Sequence, residues 1–141
     1  VKDGEKQNTG SIQLTFFDIF SDKTKQFGFK AVFPSGKVLA CLGDEPFNEK
    51  CRNFVQNCDY LMCEAFCLYS QKDIFKPYEK FHSTALDAGK LAESLFAKNL
   101  ILYHTEDETL QTRKRTYTSE ARTVFNGNIF VPDDFEVIDL K

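Results

Sequence analysis

The chain carries an apolar run that ends on a carboxylate, Val38-Leu39-Ala40-Cys41-Leu42-Gly43-Asp44, and this run decides the fold. A later apolar run, residues 99–104, ends on His104, and the only other histidine, His82, opens the triplet His-Ser-Thr. Ligands of α/β sheets bind beyond the carboxyl ends of the strands, and carboxylates and imidazoles are ligands of zinc. The spacing therefore predicts that these three side chains converge at one edge of a sheet, around a metal-bearing cleft.

Strand-like and helix-like segments alternate on both sides of this run. Runs rich in β-branched and aromatic residues predict strands, and apolar residues at helical spacing predict helices. Alternation of this kind indicates an α/β layer, with a hairpin across the Pro-Ser-Gly-Lys turn at 34–37. The predicted strands are 12–20, 27–33, 38–42, 60–65 and 99–104, and the predicted helices are 47–58 and 83–98.

The other segments predict less regular structure. The polar residues 1–10 predict a frayed start, and Pro77 predicts an irregular loop with short helix over 68–81. The stretch 105–117 is polar and highly charged. A short helix at 119–125 and a closing hairpin of 129–131 with 136–140 complete the prediction.

Composition restricts the function classes. A length of 141 residues suits a single domain, 1–141, and a net charge of −3 does not favour a dedicated nucleic-acid binder. No apolar run reaches the ~18 residues of a membrane span, so no membrane partner is predicted. The first residue is Val rather than Met, so we expect a piece of something longer.

The chain has five cysteines, which is an odd number, and most of them lie in or beside apolar runs. Buried cysteine behaves as a small hydrophobic residue, so we expect reduced thiols in a cytoplasmic protein. Cys63 and Cys67 are four residues apart and no C-x-x-C pair occurs, which argues against a cysteine zinc site.

Each candidate site residue also has a purely structural interpretation. Asp44 could bridge two metal ions, but Gly-Asp-Glu-Pro is equally good turn chemistry, and taken alone the turn is favoured. His104 is either a ligand or a half-buried imidazole, and His82 is either a proton donor or a loop residue packed over the sheet. Glu64 is either a partner that orients a histidine or a solvent-facing edge residue.

Taken together, the motifs follow the order strand-Gly-Asp, helix, strand-Glu-Ala, His-Ser-Thr, helix, strand-His. This order resembles the C-terminal half of ribonuclease Z, a metallohydrolase of the metallo-β-lactamase fold, over about residues 27–140. The resemblance implies half of an αββα sandwich, with a mixed sheet and helices on one face. It also implies a zinc-dependent hydrolase, with two ions in a complete site, that acts on RNA or on a small phosphodiester, ester or lactone.

The resemblance assigns roles to individual residues. Asp44 matches the bridging metal ligand and His104 a terminal metal ligand. His82 matches the catalytic histidine of the His-Ser-Thr motif, and Glu64 matches the acidic residue of the Glu-Ala motif, which we group with the catalytic residues.

The chain departs from the family pattern in three places. It has no H-x-H-x-D-H motif, no histidine in residues 20–26, and Thr105-Glu106-Asp107 after His104 where an aromatic residue and a serine are common. Two ligands are fewer than the three or four that zinc takes from a protein, so we expect weak zinc binding and little activity from this chain alone. The alternative is a degenerate, non-catalytic domain used for binding or assembly.

Half of a sandwich would leave an apolar sheet face uncovered, and such patches rarely stay bare. We therefore predict a partner for this face, which is either a missing N-terminal half or a second copy in a homodimer. The basic stretch Thr112-Arg113-Lys114-Arg115-Thr116 could touch phosphates, but the composition favours a solvated loop.

Overall fold

The computed structural model describes residues 1–140, so Lys141, the end of the predicted domain, lies outside the described residues. Within that range seven strands form a single sheet, and their order in the sheet is their order in the chain. The first four strands pair antiparallel and the last four pair parallel, with the fourth strand common to both halves. The strands are β1 (Lys6–Thr9), β2 (Ile12–Asp18), β3 (Phe27–Val32), β4 (Val38–Cys41), β5 (Tyr60–Glu64), β6 (Asn99–Tyr103) and β7 (Asn128–Phe130).

The antiparallel half contains the predicted hairpin of β3 and β4, which is confirmed. Phe33 N–H donates to the carbonyl of Lys37 at 2.9 Å, and Gly36 N–H donates to the carbonyl of Phe33 at 2.8 Å. Gly36 has φ +81°, a conformation that costs glycine little because it lacks a Cβ. The turn sets a register in which Ala31 lies opposite Leu39.

Helices connect the parallel strands. The α-helices are α1 (Arg52–Val55), α2 (Lys72–Phe75), α3 (Ala85–Ser94) and α4 (Leu110–Arg122), with 3₁₀ turns at Glu49–Cys51, Tyr69–Gln71 and Tyr78–Lys80. Helix α3 begins at a reciprocal capping box formed by Thr84 and Asp87. No helix among residues 1–140 has the length and hydropathy that a bilayer crossing requires.

The sheet has two apolar faces with different covers. The larger core packs α3 and α4 against one face and includes Leu61, Leu100 and Tyr117. The second cluster comes from strands and the C-terminal segment, and no described helix contributes to it. Its buried members are Ala31, Leu39, Tyr60 and Ile101. The predicted mixed sheet with helices on one face is therefore confirmed.

Two predictions for the ends of the chain were wrong. Lys6–Thr9 form strand β1 rather than a frayed start, and the prediction failed because all four residues are exposed and show no apolar alternation. Residues 129–131 and 136–140 form no hairpin, because β7 pairs parallel with β6 after the helical crossover through α4. The final residues instead place Ile138 and Leu140 against the second apolar face.

Two helices also differ from the predictions. The charged stretch 105–117 and the short helix 119–125 are largely one helix, α4, so the basic stretch 112–116 is helical rather than a loop. Only Tyr117 and Ala121 are buried on α4, a stripe too narrow to show in the sequence. The predicted helix 47–58 is reduced to a 3₁₀ turn and one α-helical turn, and Asn57 with φ +59° follows its end.

Candidate active site

Parallel pairing brings the carboxyl ends of β4, β5 and β6 to one edge of the sheet. Cys41 lies opposite Met62, and Glu64 at the end of β5 lies opposite Tyr103 at the end of β6. Asp44 follows β4 and His104 follows β6, so both leave the sheet at this edge.

The bend that carries Asp44 is fixed from the neighbouring strands. Gly43 has φ +79°, and the Tyr103 hydroxyl donates a hydrogen bond to its carbonyl. Leu42 N–H donates to the carbonyl of Met62 at 3.1 Å, which continues the parallel ladder past the end of β4. Asp44 is half-buried at this bend. Because these two hydrogen bonds come from β5 and β6, those strands help β4 to set the position of Asp44.

His82 lies beneath two other rings at this edge. Its imidazole stacks on Phe66, with centroids 5.0 Å apart and planes 22° apart, and it lies 4.9 Å from the ring of His104. The charge and backbone of Asp44 act on this imidazole too, since they raise its pKa against the larger effects that lower it. The structure thus places His82 between the segments that carry Asp44 and His104.

Glu64 is fully buried under His82. One carboxylate oxygen, Oε1, accepts a hydrogen bond from the backbone N–H of Ser83 at 2.5 Å. The other, Oε2, lies 3.6 Å from His82 Nδ1, and neither of these two atoms has a hydrogen-bond partner within residues 1–140. Because Ser83 directly follows His82, the same carboxylate contacts both the backbone and the ring of the His-Ser-Thr motif.

The environment favours the neutral form of each member of this pair. Burial raises the pKa of Glu64 to about 7, and the negative charge of Asp44 adds to the effect. Burial also lowers the pKa of His82, and the positive charges of His104 and Lys23 lower it further. Near neutral pH Glu64 is therefore close to its own pKa, the condition under which a side chain exchanges protons readily.

His104 is the exposed member of the group. It follows β6 with φ +54°, a left-handed conformation that costs a residue other than glycine about 1 kcal/mol or more. Its ring centroid lies 6.4 Å from that of Phe66, so Phe66 contacts the rings of both histidines. Strained residues of this kind persist where surrounding contacts hold them, and they are common at functional sites.

No group of three or more His, Cys, Asp or Glu side chains is arranged to hold a metal ion in the described part of the chain. Asp44 and His104 would supply two of the three or four protein ligands that zinc needs. The five cysteines are free, and burial raises the pKa of Cys51 to about 11 and that of Cys58 to about 12. The described donors therefore do not form a complete zinc site.

Sequence reasoning missed three residues that shape this edge. Phe66 stacks on His82, Tyr103 holds Gly43, and Glu45 is buried beside Asp44. Tyr103 could have been noticed as a polar aromatic residue directly before His104, but no sequence pattern marks Phe66 or Glu45.

The basic pair Arg113 and Lys114 binds Asp133 at 2.9 and 3.0 Å, which ties α4 to the C-terminal segment.

No family model matches this chain. Ribonuclease Z of Bacillus cereus (strain AH187) is 32% identical to it over 98 residues, which are 70% of this chain and 31% of that protein. The chain thus spans about a third of the length of the curated relatives it matches.

Two solved structures give the architecture. The metallo-β-lactamase fold protein YhfI from Bacillus subtilis superposes with a TM-score of 0.77 at 19% identity, covering 94% of this chain and 51% of that one. Zn²⁺-bound PqqB from Methylobacterium extorquens superposes with a TM-score of 0.70 at 13% identity, covering 99% of this chain and 51% of that one. We conclude that this chain is ribonuclease Z-like in sequence and has one half of the metallo-β-lactamase fold.

Proposed function

We propose that this chain is the C-terminal half of a metal-dependent hydrolase of the phosphodiesterase type, with 1–141 as one domain. The observation that carries the proposal is the meeting of Glu64, His82 and His104 with the Asp44 bend at one sheet edge. The similarity to ribonuclease Z supports a phosphodiester substrate, which is RNA or a smaller phosphodiester or ester.

The proposed cofactor is zinc, with two ions in a complete site. Asp44 would bridge the ions and His104 would bind one of them, while the remaining ligands would come from outside the described residues. The zinc-bound neighbour PqqB supports the choice of metal. A bound zinc ion supplies a Lewis acid that polarises the phosphoryl oxygen and lowers the pKa of water toward ~7.

His82 and Glu64 would carry out proton transfer in this reaction. The Ser83 N–H holds one oxygen of Glu64, which leaves the other facing His82 Nδ1. Glu64 would orient the imidazole and stabilise its charged form, so that His82 donates a proton from Nε2 to the leaving oxygen. Phe66 would keep the ring in place by stacking.

The uncovered sheet face is the proposed docking surface for the rest of the fold. Strand residues line it, and many are only partly buried: Ile12, Leu14, Phe29, Met62 and Phe130 are examples. The solved neighbours are about twice as long as the part that this chain matches, which supports an N-terminal half as the occupant, with a homodimer as the other arrangement. The free thiols support a cytoplasmic location, and no membrane partner is proposed.

A degenerate, non-catalytic domain is the second candidate function. The incomplete set of zinc donors in the described residues favours it. The close packing of Glu64, His82 and His104 favours the hydrolase, since a binding domain has no need for a buried carboxylate against an imidazole.

Zinc titration and hydrolysis assays test the proposal. We expect weak zinc binding by the isolated chain in calorimetry, and hydrolysis of bis(4-nitrophenyl) phosphate by the protein as its gene encodes it. Asp44→Asn should abolish that hydrolysis, whereas Lys90→Ala, an exposed helix position, should leave it unchanged. A zinc-loaded, folded protein that hydrolyses neither this ester nor RNA would favour the degenerate domain.

A further inference from the structure

Glu45 is a buried carboxylate directly after Asp44, with only 8% of its surface exposed. A buried charge is costly unless it is paired, so the side chains around Glu45 must compensate for its loss of water. These partners come from a different part of the chain, the loop that connects β2 and β3.

Three side chains of this loop reach the carboxylate. Ser21 Oγ donates to Glu45 Oε1 at 2.6 Å, and Gln26 Nε2 donates to the same oxygen at 3.2 Å. Lys23 Nζ lies 3.8 Å from it. The Ser21 hydroxyl oxygen also accepts from the backbone N–H of Lys23 at 3.2 Å. Ser21 therefore binds both the Glu45 carboxylate and the backbone of its own loop.

Lys23 makes a second set of contacts on the other side of the site. Its Nζ donates to the carbonyl of Lys80 at 3.3 Å and lies 5.6 Å from the centroid of the Phe81 ring. Lys80 and Phe81 directly precede His82, and Phe81 is held at φ +59°. One ammonium group therefore joins the residue after Asp44 to the two residues before His82.

We infer that the β2–β3 loop is a positioning device, in which Lys23 and Glu45 hold the Asp44 bend and the His82 segment at a fixed distance. Neither residue is placed in contact with substrate. Both act through their neighbours. The inference rests on the proposed function only in calling this edge an active site.

Histidine resonances test the inference without any assay of activity. The chain has only two histidines, so a ¹³C–¹H spectrum of the imidazole Cε1–Hε1 groups contains one signal from each. We expect Lys23→Met to broaden the His82 signal, because the segment that carries it is no longer held in place, and Lys23→Arg to restore the sharp signal. Glu45→Gln should broaden the same signal, because it weakens the hold on Ser21 and Lys23.

Lys25→Met is the matched control, since Lys25 lies on the same loop but pairs with Asp18 at 3.4 Å. It should leave both histidine signals sharp. Circular dichroism melting curves establish that each variant is folded before its spectrum is compared. A folded Lys23→Met protein with a sharp His82 signal would overturn the inference, and so would an equal broadening from Lys25→Met. Neither result would bear on whether the complete protein is a hydrolase.

Discussion

At the scale of the residue, the decisive group is Glu64, because it is fully buried and faces an imidazole. A carboxylic acid whose pKa rises on folding binds its proton more tightly in the native state. Its contribution to stability is therefore complete below the unfolded pKa of 4.5 and is lost as the pH rises toward its folded value of about 7.

Glu64→Gln isolates this effect, because glutamine cannot ionise. Relative to the parent chain, we expect the variant to gain up to about 3 kcal/mol in free energy of unfolding between pH 4.5 and pH 8. Urea unfolding at several pH values measures the difference. A difference that does not change with pH would show that Glu64 keeps an ordinary pKa.

Tyr103→Phe removes the hydroxyl that donates to the Gly43 carbonyl. The lost hydrogen bond should lower the free energy of unfolding by about 1 kcal/mol. It should also loosen the Asp44 bend, which amide hydrogen exchange at residues 42–45 would report as faster exchange. Tyr78→Phe, which removes an exposed hydroxyl bonded to Asp87, is the matched control and should leave that exchange unchanged.

At the scale of the element, α3 presents the His-Ser-Thr motif to the sheet edge. Its capping box fixes the point where the helix begins, and Ser83 immediately before the cap contacts Glu64. The start of α3 is therefore part of the geometry of the site as well as of the stability of the helix.

Thr84→Ala should cost about 1 kcal/mol in free energy of unfolding, because it removes the side-chain half of the capping box. Thr84→Ser keeps the hydroxyl and should recover most of that stability. Thermal melting of the three proteins measures the difference. Equal losses in the serine and alanine variants would show that packing of the buried Thr84 methyl group, rather than capping, is the cause.

The contrast between α3 and α4 shows how much the sequence predicts. Helix α3 has a cap and a stripe of four buried small residues, Ala85, Ala88, Gly89 and Ala92, and the sequence predicts it as 83–98 where the structure has Ala85–Ser94. Helix α4 buries only Tyr117 and Ala121. Its sequence therefore lacks the repeated apolar residues at helical spacing that would predict a helix. Strand β1 is held by backbone pairing with β2 across the short turn at residues 10–11, and its four exposed side chains lack the apolar alternation that predicts a strand.

The residues of the candidate site also divide into those that the sequence predicts and those that it does not. Asp44, Glu64, His82 and His104 could be predicted because strand ends and a family-like motif order mark them in the sequence. Phe66 and Glu45 could not, because their importance comes from contacts with His82, Ser21 and Lys23 that only the folded chain makes. The roles of the four predicted residues remain predictions.

At the scale of the whole molecule, one face of the sheet is covered by helices and the other is not. The uncovered face includes partly buried Leu14 and Met62 and is closed at one end only by Ile138 and Leu140. Burial of apolar surface contributes roughly 25 cal/mol per Å², so covering this face would stabilise an associated state.

We expect the isolated chain to self-associate in light scattering at high concentration. Leu14→Lys, on the uncovered face, should shift the protein toward monomers, whereas Gln13→Lys, which points to the other side of the same strand, should not. A clean monomer at all concentrations would contradict the prediction that this face needs a partner.

The order of the strands has a consequence for synthesis. Each strand pairs only with the strands before and after it in the chain. A nascent polypeptide can therefore add strands to a growing sheet one at a time as it leaves the ribosome, without holding any strand unpaired for a later one. The antiparallel hairpins would form within the first part of the chain, and the slower parallel crossovers would follow on that template.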